Sequence, residues 1–190
     1  MNFFVIAALN GLDILEADTR NLYLNAPCRE KIYFTSGTGF GNRKGAIVVV
    51  VRALYRLKYS GDSWRVNCAN TMRDMDFLPL EANPDVWIQN TTKSNGFKYW
   101  KYILICVDNV LCVSEHSGKV MGIIKSAYCF KEDASGKTYG PPERYLGANI
   151  EKTTLEHGKD YWHMLSDGYA KEAVNNVNTE LKKSGQFLKK

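Results

Sequence analysis

No stretch of this chain approaches the ~18 consecutive uncharged apolar residues that a membrane-spanning helix requires. Its greasiest runs, Ala46 to Val51 and Tyr102 to Val107, are each about a third of that length. A bilayer span is excluded. The apolar opening from Phe3 to Leu9 has no Lys or Arg before it and runs directly into Asn10, Asp13 and Glu16, so it reads as a buried helix and not a signal peptide. The five cysteines (Cys28, Cys68, Cys106, Cys112, Cys129) contain no C-x-x-C pair, and the three histidines stand at no zinc-ligand spacing. Reduced, mostly packed thiols of an intracellular protein are the expectation. No compelling Ser/His/Asp order supports a hydrolase. No G-x-G-x-x-G or P-loop string is present, and no internal repeat or low-complexity tract.

What the chain does have is a composition that folds. Its 190 residues are 45% hydrophobic, 12% aromatic and 24% charged, which suits one domain or a domain with an inserted subdomain. Disorder is excluded. The net charge is +5, and its location says more than its size. Between residues 43 and 65 six basic residues (Arg43, Lys44, Arg52, Arg56, Lys58, Arg65) face a single acid, Asp62, a local excess equal to that of the whole chain. Interleaved with Tyr55, Tyr59 and Trp64, such a segment can track a phosphate backbone while its rings stack on bases. By charge alone a solvated face is an equal reading.

Periodicity predicts a helix from Phe3 ending near Gly11, then a short buried strand, Ile14 to Ala17, leading into Asp18. Residues 25 to 44 form a loop-rich excursion, and the β-branched run Ala46 to Arg52 predicts a strand buried on both faces. Trp64, Cys68, Met72 and Met75 recur at helical spacing, predicting a helix from about Ser63 to Asp76 closed by Pro79 and Pro84. Strands are expected at Val86 to Gln89, Tyr99 to Val107 and Val110 to Ser114, the last two joined by an Asp108-Asn109 turn. Ser117 is positioned to cap a helix bearing Val120, Ile123, Ile124, Ala127 and Tyr128 on one stripe. After a polar loop at 132–142, strands are expected at Arg144 to Glu151 and Tyr161 to Leu165 around a His157-Gly158 turn, then a helix from Asp167 to Lys183. Strands and helices mix without a βαβ rhythm, so the class is α+β with an antiparallel sheet and helices packed on one face.

If the strand ending at Asp18 and the hairpin carrying Asp108 are neighbours in one sheet, their carboxylates share a site for a hard cation such as Mg²⁺. From spacing alone, an acid in a hairpin turn is more often ordinary turn chemistry. The surrounding words add to this. Asp18-Thr19-Arg20-Asn21-Leu22-Tyr23-Leu24-Asn25-Ala26-Pro27 with Glu30-Lys31-Ile32-Tyr33, then Ala53-Leu54-Tyr55-Arg56-Leu57-Lys58 with Trp64, then Ile105-Cys106-Val107-Asp108-Asn109, then Arg144-Tyr145-Leu146-Gly147, come in one order over nearly the whole chain. As a set they resemble the reverse transcriptase of copia-type LTR retrotransposons.

The resemblance implies a right-hand polymerase palm (1–25 and 60–155), partial fingers as a loop-rich insertion (26–59) and the start of a thumb or connection (156–190). It implies catalytic Mg²⁺, or Mn²⁺, held by Asp18 and Asp108, with Asn109 as the second position of the catalytic turn. Tyr23 matches the aromatic beneath the incoming sugar, while Tyr55, Arg56 and Lys58, with Ser60, match the segment against the nascent base pair and template. Tyr145, Leu146 and Gly147 match the hairpin that grips the primer end, and Arg43, Lys44, Arg52 and Arg65 would join the nucleic-acid surface. Expected partners are a primed RNA or DNA template, deoxynucleoside triphosphates and the remainder of a Pol polyprotein, in the cytoplasm or nucleus, without a membrane. Amino-terminal fingers strands would precede Met1, and most of the thumb, the connection and RNase H would follow Lys190.

Three positions depart from the family pattern. Arg56 replaces a glycine, Cys106 replaces a tyrosine, and Asn109 replaces the second acid of the turn. The last removes one negative charge beside a dication, which predicts weak or absent polymerisation. The alternative is a non-catalytic remnant or domesticated nucleic-acid-binding module.

Overall fold

The architecture is that of a computed structural model, which describes residues 3–145, 148–154, 158, 160–165 and 167–185. Helix α1 (Phe3–Asn10) is apolar on all sides and buries Phe3, Phe4 and Ala7. It stops at Gly11, whose φ of 55° an L side chain rarely adopts, with the Leu12 amide donating back to the Ala7 carbonyl at 2.9 Å. Strand β1 (Asp13–Asp18) follows, then a 3₁₀ turn over Leu22–Asn25. The short strands β2 (Tyr33–Thr35) and β3 (Ile47–Val49) form a separate two-stranded sheet. Helix α2 (Ser60–Asp74) leads to β4 (Leu78–Leu80), β5 (Asn83–Thr92), β6 (Lys98–Cys106) and β7 (Asn109–Ser114). Helix α3 (Ser117–Ala127) precedes β8 (Arg144–Tyr145), β9 (Ala148–Thr154), β10 (Asp160–Leu165) and α4 (Asp167–Lys183).

The central sheet has the order β1-β7-β6-β5-β4 with every pairing antiparallel. Strand β7 explains its two-sided cover, because Val110, Leu111, Cys112 and Val113 are all buried and successive side chains point to opposite faces. Val110 and Cys112 pack with Trp64, Cys68 and Met72 of α2 and Val120, Met121 and Ile124 of α3. Leu111 and Val113 pack with Phe3, Phe4 and Ala7 of α1 and with Ile150 of β9. Helices therefore do not keep to one face: α1 and the β8-β9-β10 sheet cover the side opposite α2 and α3.

Several local expectations are revised. The Ala46 to Arg52 run does not form a strand buried on both faces; β3 pairs only with β2, and Ile47 is 78% exposed. Ile47, Val49 and Val51 lie on the surface, while Val50 is buried. Helix α2 is ended not by the prolines but by Asp76 at φ 61°. The Asp76 amide bonds to Arg73 O and the Phe77 amide to Met72 O, each at 2.9 Å, while Phe77 and Met72 share the core. Pro79 instead sits in β4 at the sheet edge, where a missing N–H is tolerated. Ser117 does not cap α3. It is the first helical residue, and its buried hydroxyl lies 2.9 Å from Asp13 O and 3.2 Å from Ser114 O, tying the helix to the sheet. Ile123 faces solvent, and Met121 takes its place in the core. The β6-β7 turn is Val107-Asp108, one residue earlier than Asp108-Asn109, with the positive φ of 53° on the β-branched Val107. The His157 position of the expected β9-β10 turn lies outside the described residues. No helix among the described residues is long and apolar enough to cross a membrane.

Candidate active site

Asp18 and Asp108 are 90 positions apart in sequence, and sheet register brings them together. Strand β1 pairs with β7 so that Asp18 stands opposite Asn109, and the Thr19 amide donates to the Asp108 carbonyl at 2.7 Å. The alternation of β1 sends Leu15 and Ala17 into the α2-α3 layer, which leaves Glu16 and Asp18 on the other face. On the far side of β1, residues 129 to 131 run antiparallel to residues 18 to 20. The Arg20 amide donates to Cys129 O and the Lys131 amide to Asp18 O, each at 2.7 Å.

This places the Lys131 ammonium between the two acids. Its Nζ is 2.7 Å from Asp18 Oδ2 and 3.7 Å from Asp108 Oδ2. The carboxylates are 38% and 39% exposed and the lysine side chain 50%, so water reaches all three and the pairing is moderate in strength. The Lys131 pKa is raised above the ordinary lysine value. The hydrogen bond to Asp18 is the largest cause, and it outweighs partial desolvation; the charges of Asp18 and Asp108 add to it. The other Asp18 oxygen, Oδ1, is buried and has no hydrogen-bond partner, and neither has the adjacent Thr19 hydroxyl.

The residues fit a hard cation. Two carboxylate oxygens converge on one point already held by a positive nitrogen, and a third carboxylate oxygen is unsatisfied. Among the described residues no third acid, histidine or cysteine completes a cluster, so the protein would supply two acidic ligands and leave the remaining positions to water or phosphate oxygens. Asp18 opens onto a cleft of about 450 Å³ lined also by Glu16, Asn109, Lys131, Tyr139 and Glu143, among others. Burial pushes the Glu16 carboxyl up, opposed by a hydrogen bond from the Glu143 amide and reinforced by the Glu143 charge.

Tyr23 and Tyr55, 32 positions apart in sequence, are also brought together. Their rings meet edge to face at 4.7 Å. The contact is set by backbone bonds from the Cys28 amide to Val51 O and from the Ala53 amide to Ala26 O, both 3.0 Å, which dock the second segment beside the 3₁₀ turn. Arg56 follows at φ 72°, left-handed backbone where the family pattern has glycine. Arg43, Lys44, Arg52, Arg56 and Lys58 are exposed, and the Lys58 ammonium lies 5.1 Å over the Tyr59 ring. Arg65 stands apart from this group, since it is paired with Asp85 at 2.7 Å beside a 340 Å³ pocket that Cys106 also lines. The backbone of Tyr145 lies in β8, while Leu146 and Gly147 lie outside the described residues.

Lys131 is the site residue that sequence reasoning missed. It stands just ahead of the polar loop at 132–142, where a lone cation reads as solvated, and only the pairing of residues 129–131 with β1 places it beside the two acids. The neighbouring Phe130, a buried aromatic ahead of that loop, is the one signal that the segment is anchored.

The comparisons with known proteins bear on this geometry. A tobacco (Nicotiana tabacum) protein described as the retrovirus-related Pol polyprotein from transposon TNT 1-94 is 23% identical over 150 residues, covering 76% of this chain. The chain is similar to a retrotransposon Pol polyprotein. It spans about a tenth of that polyprotein's length. No family model matches, and no solved structure matches.

Proposed function

We propose that the chain is the palm-centred part of a copia-type reverse transcriptase, with Asp18 and Asp108 as the ligands of catalytic Mg²⁺ or Mn²⁺. The observation that carries this reading is the convergence of these two acids, distant in sequence, on one cation-sized point. The Pol similarity supports it. The reaction would be attack of a primer 3′-hydroxyl on the α-phosphate of a deoxynucleoside triphosphate, with pyrophosphate leaving. A bound divalent ion supplies charge stabilisation to the attacking and leaving oxygens. Within the chain, Asp18 and Asp108 hold that charge in place, and Tyr23, braced by Tyr55, offers a flat ring on which the sugar of the incoming nucleotide rests. Arg52, Arg56 and Lys58 offer cations to the template backbone. The wider Pol polyprotein would provide the remaining parts of the polymerase.

Asn109 lowers the electrostatic power of the site. One carboxylate fewer beside the metal costs on the order of 3 kcal/mol of barrier, a hundredfold or more in rate. In primer extension on an RNA template with Mn²⁺, Asn109→Asp is expected to raise product at least tenfold and Asp18→Ala to abolish it. No gain from Asn109→Asp in protein that binds the primed template would refute the diagnosis of the turn.

The substitution at Asn109 and the exposed Arg43, Lys44, Arg52 and Lys58 also favour a second reading, a nucleic-acid-binding module without catalysis. Binding without extension, with affinity falling as roughly the third to fifth power of salt concentration, would identify it.

A further inference from the structure

We propose that Lys131 is a built-in competitor for the metal: its ammonium occupies the point between Asp18 and Asp108 that a divalent cation must take. The inference rests on the reading of those acids as metal ligands and concerns how the site is held when no ion is bound.

Three observations carry it. The ammonium contacts one oxygen of each acid, at 2.7 and 3.7 Å, so a cation seated between those oxygens overlaps its position. The lysine is not on a free loop. Its own amide is bonded to Asp18 O, and the preceding residues Cys129 and Phe130 bridge to Arg20 and Thr19. The loop then closes on Asp133, whose carboxylate accepts from the Ser135 amide and hydroxyl and the Lys137 amide at 2.7 to 2.9 Å. It returns to β1 through paired Glu16 and Gly140 bonds of 2.8 and 3.1 Å. Both ends of the loop are thus stitched to the strand that bears Asp18. Finally, Asn109 brings no negative charge to the turn, so two carboxylates face one ammonium and the site's net charge falls from −2 to −1.

The consequence is a direct exchange. Binding a dication requires the ammonium to leave, and the metal's affinity is reduced by whatever the ammonium gains from the two acids. The adjoining cleft of about 450 Å³, which Lys131 itself lines, provides room for the displaced side chain. Lys131 acts as a positioning residue: it keeps the acids convergent in the absence of metal and sets the concentration at which an ion replaces it.

The test is Mn²⁺ binding, followed by loss of the free-ion electron paramagnetic resonance signal, which needs neither primer nor nucleotide. Lys131→Met and the more polar Lys131→Gln are expected to bind Mn²⁺ about tenfold or more tightly than wild type. Lys131→Arg, which keeps the charge, should bind no better than wild type. Adding Asp18→Asn to Lys131→Met should remove the binding. Near-ultraviolet circular dichroism identifies which neutral variant is folded, and either suffices. Equal affinity in wild type and the neutral variants, abolished in both backgrounds by Asp18→Asn, would overturn the competition while leaving Asp18 and Asp108 as a metal site. Folded neutral variants that bind no Mn²⁺ would overturn the metal reading and the competition with it. Binding that survives Asp18→Asn would place the ion elsewhere and have the same effect.

Discussion

Backbone conformation at single residues carries measurable physical consequences. Arg56 holds φ 72°, a region that costs an L side chain about 1 kcal/mol and costs glycine nothing of the kind. Arg56→Gly should therefore raise stability by up to about 1 kcal/mol in urea denaturation, although it deletes an exposed cation. A loss of stability would mean that the arginine side chain makes contacts that outweigh the strain. Val107 at φ 53° carries the same kind of penalty in the β6-β7 turn, with a β-branched side chain least suited to it. Cysteine chemistry separates equally clearly. Burial pushes the Cys68 and Cys112 thiols up to about 12, whereas Cys129 is exposed. At pH 8 an alkylating reagent should label Cys129 in the native protein and reach Cys68 and Cys112 only on unfolding, as peptide mass mapping would show. The raised pKa of Lys131 has its own consequence. Its ion pairs contribute fully below the unfolded lysine value of 10.5 and are lost as pH climbs through the higher folded value. Wild type should keep its stability advantage over Lys131→Met at neutral pH and lose it only above about 10.5.

Elements whose apolar residues follow a clean period were legible in the sequence. Helix α4 spans the expected Asp167–Lys183, and β7 was visible as a continuous apolar run. Such a run also says that its sheet is covered on both faces, which the expectation of helices on one side overlooked. The β-branched run around Ile47 misled because composition cannot show whether a covering layer exists; β3 lies in an outlying two-stranded sheet. In α3 the period was right and the phase slightly off, because Met121 turns into the core and Ile123 out. Ile124 is 1% exposed and Ile123 55%, so Ile124→Ala should cost about 2–5 kcal/mol and Ile123→Ala less than about 0.5 kcal/mol. Similar losses at both positions in thermal or chemical unfolding would show that the helix is rotated from the arrangement described.

Over the whole molecule, the candidate site depends on pairings between segments that are distant in the chain. Asp18 could be singled out by its place at the end of a strand and Asp108 by its turn, but only the β1-β7 register makes them neighbours. The contact of Tyr23 with Tyr55 likewise depends on the docking of residues 51–53 against 26–28. The motif words carried the candidate acids and aromatics, whereas Lys131 belongs to no such word and emerges only from the antiparallel course of residues 129–131. Arg65, grouped with the basic segment by proximity in sequence, is instead paired with Asp85 of β5 at 2.7 Å. The run of unpaired cations is therefore shorter than the charge count suggests.

The central claim is that Asp18 and Asp108 bind one divalent ion, and metal-directed cleavage tests it most directly. Fe²⁺ with ascorbate and peroxide, substituting for Mg²⁺, should cut the chain near residues 18, 108 and 131 and nowhere else with comparable yield. Excess Mg²⁺ should suppress those cuts, and Lys131→Met should strengthen them. Cleavage confined to other regions, or cuts near 18 and 108 that Mg²⁺ leaves unchanged, would contradict the account.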